Sequence, residues 1–556
     1  MQLRSSGCWV VVVLIGCGSD DGNLDDAPQT SGPRADDVAF GAGGGSASTT
    51  PGAASNPGNN MGADSNGSAP TPAVPEQEEE NTFRVPVVTG RLIWAANPVS
   101  GRVALVDAVT HEVLTLPAGL APTYLAAIPG VTANRALVIN SGSTDATLFR
   151  QTASGGELAQ LQIPLHQNAN AWTLSDDGHW AVAWSDAREF KRLDATEGLQ
   201  DVTVLDLSKA PPALARFSVG YRPVKLQIDA AGTHVYAVTH DGISVIELGA
   251  TPRLSDDIGI LSATDALSAE SGEPVLEDVP ITRDGRYAVV RFAGAPRLQV
   301  IDLTQRTSQL LELPGEASDV DLAGDGERAV AVLRDSSQVA VFDPAVVITD
   351  PSQVVLRSFS GETLGSAALP ENGDTALLFT TATDSDRLAI LDLANAGAAS
   401  PRVVSLKAPI RAVFPTPEGS YAVALLETEA NSERAGAFSV VPIAAALPPK
   451  IQGTDAPPYR VSLAQTPSGL RGLVTTRDDA HGIHAAYLVR MPSLQVDRID
   501  LSSPPIAVGL LPEFGVGYVA QQHPEGRITF IDLETGAPQT LTGFELADRV
   551  VNGDEP

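Results

Sequence analysis

The stretch "DDAHGIH" brings two carboxylates, Asp478 and Asp479, close to two imidazoles, His481 and His484. Two imidazoles and a carboxylate are an adequate ligand set for a divalent cation, so His481, His484 and Asp479 are the nearest approach to a metal cluster in the chain. Their spacing matches neither the zincin helix motif nor a zinc finger, and a solvated hairpin loop is the competing reading. The other histidines, His111, His166, His179, His234, His240 and His523, are scattered. Three indoles also lie near one another: Trp180 and Trp184 share one face of an alternating segment, with Trp172 just upstream. Beside the charged stretch "SDAREFKRLDATEGLQD", Trp172, Trp180 and Trp184 could serve as a carbohydrate or peptide platform. Large apolar side chains at alternate positions suit packing between sheets equally well. The chain has no haem-attachment Cys pair, no phosphate-cradling Gly-Lys motif, no Gly-x-Ser-x-Gly elbow and no EF-hand spacing. No cofactor is expected, and no residue is assigned a catalytic role.

One acid recurs. It closes an apolar segment at Asp107, Asp206, Asp302, Asp343, Asp392 and Asp532, with Glu247 in its place once. A catalytic carboxylate is needed once, or as a pair whose environments push their pKa values apart. A carboxylate repeated along the chain answers a structural demand instead, because Asp accepts hydrogen bonds from nearby backbone N–H groups and shapes the turn after a strand. The pattern lapses at Arg150, Arg490 and Val441-Pro442.

The elements that carry these residues are short and repeated. Apolar segments follow turn residues at 92–96, 136–140, 180–184, 235–239, 287–291, 329–333, 376–380, 421–425, 472–476 and 516–521, about one per 40 to 50 residues. The turns before them, such as "SDDGHW", "TRDGRY", "AGDGER" and "PENGDT", carry a Gly that tolerates positive φ, so each should join two antiparallel strands. A second strand such as "RLQVIDL" follows, then a third such as "TSQLLELP" and a fourth such as "SDVDLAG". Four short strands per unit predict an all-β chain: a β-propeller of repeated four-stranded blades over residues 83–550, in one ring or two. Ten units exceed the usual range of about four to eight blades.

The D-G-x-x-[AV]-x-[AV] step and the "VIDL" or "VLDL" step resemble those of the YVTN and lactonase-like β-propellers and, more loosely, TolB-type blades. The resemblance runs over nearly all of residues 88–550 and implies the fold. Its lactonase side also implies a pocket at the ring axis lined by scattered polar residues, none of which a motif carries over to this chain. The Gly-His and Trp-Asp marks of WD40 blades are absent.

The chain opens "MQLRSSGCWVVVVLIGCGSDDG", with a basic residue at Arg4, an apolar run from Cys8 to Ile15, and small residues beside a cysteine. This is a signal-peptide layout, too short for a permanent membrane helix. Leu14-Ile15-Gly16-Cys17 resembles the lipobox of bacterial lipoproteins. That resemblance implies a signal peptide over 1–16, cleavage after Gly16 and lipidation of Cys17; an ordinary signal peptide or inner-membrane anchor containing a chance Cys is the alternative. Several acyl chains, at about 0.8 kcal/mol per buried CH₂, would anchor the protein stably in a bilayer. Gly18 stands where an Asp would signal retention in the inner membrane, so the outer membrane is favoured, with its periplasmic or surface face open.

Residues 17–82 then form an expected tether, rich in Gly, Ser, Pro, Ala and Asn, with eleven acids between Gly18 and Asn81 and only Arg34 as a base. Such a segment cannot bury enough apolar surface to offset its ordering entropy. As a flexible coil it would span roughly 40 to 50 Å. Residues 551–556 are expected to be a short tail.

Across 556 residues, 67 acids against 36 bases give a formal charge of −31, which argues against nucleic acid as a partner, since phosphate backbones are bound through Lys and Arg. Cys8 and Cys17 are the two cysteines, so the folded region forms no disulfide. Two functions remain. One is a non-enzymatic envelope lipoprotein whose propeller binds a protein or glycan partner; the other is a lactonase-like hydrolase with a pocket at the axis, which predicts turnover of lactones or esters.

Overall fold

The computed structural model describes residues 86–553 apart from 131–133, 152–157, 191, 256, 261–275, 325, 398–399, 429–431, 445–446 and 545–549. Cys17, the lipobox and residues 17–82 of the expected tether therefore lie outside the described residues, as do 261–275 of a long connection between blades. The described chain is all-β, with one four-residue α-helix at Pro344–Val347 and three single-turn 3₁₀ segments. It forms ten antiparallel sheets, each a meander in chain order. The sheets are the blades of one ten-bladed β-propeller, and they are numbered here from the N-terminus.

Alternation along the strands explains why the blades pack side by side. In the second strand of blade 3, Trp180–Trp184, the side chains of Trp180, Val182 and Trp184 pack with Val235, Ala237 and Ile246 of blade 4. Ala181 and Ala183 point the other way and pack with Leu137 and Ile139 of blade 2. With both faces covered, the middle strands are apolar at most positions, which is why they read as nearly continuous hydrophobic runs. The ring closes by the same kind of packing. Ile93, Ala95, Ala104 and Val106 of blade 1 meet Ala507, Tyr518, Ile528 and Phe530 of blade 10. Blade 1 is built wholly from the N-terminal end of the described chain and blade 10 wholly from the C-terminal end.

The sequence reading is shifted by one strand. The ten apolar segments are the second strands of their sheets, and the segment "SDVDLAG" supplies Asp319–Leu322, which pairs with Ala329–Leu333 as the first strand of the following blade. A repeat has no intrinsic start, so local pattern cannot say with which neighbour a short strand pairs. The fourth strand of blade 8, Lys450–Thr454, lies within a Pro-rich stretch. One further boundary differs. Val550–Gly553 pairs with Pro538–Thr542 as a fifth strand of blade 10, so the folded chain runs into the expected tail at 551–556.

First strands of neighbouring blades approach one another, whereas fourth strands such as Ala213–Ser218 and Val355–Ser358 are largely exposed, which places the first strands around the axis. Each first strand has one edge without a partner strand, and side chains from adjacent blades satisfy parts of it. The Asp319 carboxylate accepts the Ala367 N–H at 2.7 Å and that of Asp321 accepts the Leu369 N–H at 3.2 Å. The Gln227 amide donates to the Thr282 carbonyl at 3.0 Å, and the Trp172 indole to that of Tyr124 at 3.1 Å. Buried backbone groups left unpaired cost about as much as a lost hydrogen bond, so these bridges both seal the edge and join the blades.

Because strands alternate in direction, the ring has two distinct rims. One carries the turns between first and second and between third and fourth strands; it holds the Gly-containing turns, where Gly285 has φ +70°. The recurring acids lie on this rim and act as expected from their repetition. Asp302 Oδ1 accepts the N–H groups of Thr304 at 3.0 Å and Gln305 at 2.8 Å, and Asp107 and Asp532 repeat the arrangement. The other rim carries the longer connections and the sequence-predicted candidates at 478–484.

Candidate functional site on the long-loop rim

The hairpin between the second strand of blade 9, Gly469–Asp478, and the third, Ile483–Arg490, carries the "DDAHGIH" residues. His481 turns back on its own loop, its Nδ1 lying 2.8 Å from Asp478 Oδ2, and this contact is the main cause that lowers the Asp478 pKa. Asp479 is held by Arg477, whose Nε and Nη2 lie 2.9 and 2.6 Å from its Oδ2. That bond lowers the Asp479 pKa and raises that of Arg477. His484 is buried, and its Nδ1 lies 4.0 Å from Asp479 Oδ1 and has no hydrogen-bond partner. The three predicted ligands therefore share one hairpin but point to different partners. Among the described residues no three His, Cys, Asp or Glu side chains converge as a metal site would require.

Arg477 belongs to a larger constellation that pattern reading missed. The Tyr459 ring has the Arg460 guanidinium 4.7 Å from its centre and the Arg477 guanidinium at 5.4 Å. Arg477 also donates to the carbonyl of Pro505 in blade 10 at 3.3 Å. A bulge in the first strand of blade 9, between Pro458 and Val461, brings Tyr459 and Arg460 to this place. The adjacent Tyr-Arg pair is visible in sequence, but Arg477 reaches it only through strand pairing.

A second part of the rim lies over blades 3 and 4. The charged stretch after Trp184 begins with Asp186, which accepts the Arg188 N–H at 3.0 Å and pairs with its guanidinium at 2.8 Å. Farther along, Arg222 donates to the Asp194 carbonyl at 2.9 Å, and the Tyr221 hydroxyl donates to the Ala195 carbonyl at 2.9 Å. Arg222 also lies over the Tyr221 ring at 4.9 Å. The connection is thus pinned to the ring by two neighbouring side chains, and its Arg188, Glu189, Arg192, Asp194 and Glu197 are exposed.

The three indoles do not form one surface. Trp180 and Trp184 are buried in the seam between blades 3 and 4, whereas Trp172 faces blade 2 from the first strand. Beneath the same rim His166 is buried, with Nδ1 2.9 Å from Thr203 Oγ1 and Nε2 3.4 Å from Ser185 Oγ. Burial pushes its pKa down to about 4, so the imidazole is neutral at pH 7. The Ser185 hydroxyl donates to the Asn168 carbonyl at 2.9 Å, which ties this pair into the framework of the rim.

No known protein family matches the chain, and no curated protein does. Solved structures match parts of the chain. Hydrazine synthase of Kuenenia stuttgartiensis is 14% identical with a TM-score of 0.32, over 60% of this chain and 95% of that one. The dihydro-heme d1 dehydrogenase NirN in complex with DHE is 14% identical with a TM-score of 0.38, over 69% of this chain and 76% of that one. At this distance the likeness concerns the fold alone.

Proposed function

We propose that this chain is a bacterial envelope lipoprotein, anchored by acyl chains on Cys17 and favouring the outer membrane, whose propeller binds a protein or glycan partner through its long-loop rim. The observation that carries the reading is the pinned connection over blades 3 and 4. Arg222 and Tyr221 hold an irregular charged loop in one conformation, which lowers the ordering cost of binding. Loops displayed on a rigid scaffold are where binding residues concentrate. The lipobox-like Leu14-Ile15-Gly16-Cys17 and the acidic stretch after it support a folded body held away from a bilayer, and the repeated blade steps support kinship with YVTN-type propellers.

Two measurements test the proposal. Cys17→Ser should release the protein from the membrane fraction or leave it unprocessed, and unchanged membrane partition refutes the anchor. Affinity capture from native envelope should recover a specific partner that is lost with Arg222→Ala. Turnover of lactones or esters by the purified protein, with no specific partner captured, would sink the scaffold reading.

A further inference from the structure

Twice in the ring two arginines stand directly opposite each other on neighbouring strands: Arg471 and Arg490 in blade 9, and Arg135 and Arg150 in blade 2. Both pairs lie at the rim of the Gly-containing turns and both face the next blade. Arg471 donates to the Leu533 carbonyl at 3.1 Å and Arg135 to the Gly178 carbonyl at 3.3 Å. Like charges directly opposite are destabilising, so each pair needs a counter-charge. Blade 9 supplies its own, because Arg490 is ion-paired with Asp497 and donates to the Glu534 carbonyl at 3.1 Å. Asp497 stands opposite Leu488, two residues before Arg490. The same place in blade 2, opposite Leu148 and two residues before Arg150, is occupied by Leu161.

The consequence shows in the hydrogen bonding. Among the described residues, Nε and Nη2 of Arg150 and Nε of Arg135 are shielded from solvent and have no acceptor. Burial, and then the Arg150 charge, holds the Arg135 pKa below the usual arginine range. Acids of the adjoining turn are engaged elsewhere: Asp176 pairs with Arg283 at 3.0 Å, and Asp177 accepts from the Ser175 hydroxyl at 2.6 Å and the His179 N–H at 2.9 Å. A buried donor left unsatisfied is costly, and more so on a charged group.

We propose that Arg135 and Arg150 form a binding site for a phosphate-class oxyanion in the seam between blades 2 and 3. Nε and Nη2 of Arg150 lie along one edge of the guanidinium and present the parallel donors that match two oxygens of one anion. Arg135 Nε belongs to a second guanidinium and supplies a third donor. A tetrahedral anion meets it with a third oxygen, which a planar carboxylate lacks.

The site is tested by unfolding the full-length chain in inorganic phosphate against chloride at matched ionic strength, with acetate as the planar competitor. Phosphate should stabilise the protein through the site, the unfolding constant falling about tenfold for each tenfold rise in free phosphate above Kd. Leu161→Asp gives blade 2 the acid that blade 9 has; it should stabilise the protein in chloride and abolish the phosphate response. Arg150→Leu should abolish the response, while Arg490→Leu, which disturbs the other pair, should keep it. No phosphate response in the wild type, or one that survives both Leu161→Asp and Arg150→Leu, overturns the proposal. An acetate response equal to that of phosphate overturns the assignment to a tetrahedral anion.

Discussion

Asp302 shows how much a single side chain can be read from repetition. Its carboxylate serves the two backbone N–H groups of Thr304 and Gln305, as its counterparts do in other blades. Asp302→Ala should therefore cost about 1 to 2 kcal/mol of stability by chemical denaturation, and Asp302→Asn, which keeps an acceptor oxygen, less. His166 behaves differently, since nothing in its sequence neighbourhood distinguished it from the other histidines. Burial puts its folded pKa at about 4, below the model-peptide value of 6.5. Between those values the unfolded state binds more protons, so its contribution to stability is present above pH 6.5 and is lost as pH falls toward 4. The slope should approach 1.4 kcal/mol per pH unit at most, and His166→Gln should flatten it over this window, as read from denaturant midpoints.

At the scale of elements, the rim over blades 3 and 4 depends on a connection held by two residues outside it. Arg222→Ala removes the donor to the Asp194 carbonyl and the stacking on Tyr221. Amide exchange at residues 192–200 should then speed up, while the protected second strands of the blades keep their rates. Equal acceleration throughout the ring would mean that Arg222 supports the fold and not the loop. The connection was legible as an interruption of the repeat because its composition departs from the blade pattern. Its pinning was not, because Tyr221 and Arg222 precede the next blade and meet the loop only in three dimensions. The Tyr459 stack was hidden for a related reason, as a strand bulge sets which side chains share a place.

For the whole molecule, the seam between blades 10 and 1 decides whether the ring is a closed body. Phe530 is buried there against Ile93 and Val106, much as Phe438 is buried between blades 8 and 9. Phe530→Ala and Phe438→Ala should each cost about 3 to 5 kcal/mol in equilibrium denaturation. If Phe530→Ala is nearly neutral while Phe438→Ala is costly, the closing seam is weaker than an internal one. The like-charge pairs also belong to this scale. Arg150 and Arg490 both stood out where the recurring acid lapses, yet what separates them is one residue on a fourth strand, Asp497 against Leu161.

Local chemistry is written in the chain. Positive-φ glycines, short apolar runs and a turn-forming Asp each act within a few residues, and together they specify a repeated four-stranded unit. Tertiary packing decided how the units join. Ten blades form one ring because each buries both faces against its neighbours and the last meets the first, a condition on curvature summed over the whole chain. That same packing sends Trp180 and Trp184 into a seam and leaves two guanidiniums of blade 2 without an acid among the described residues.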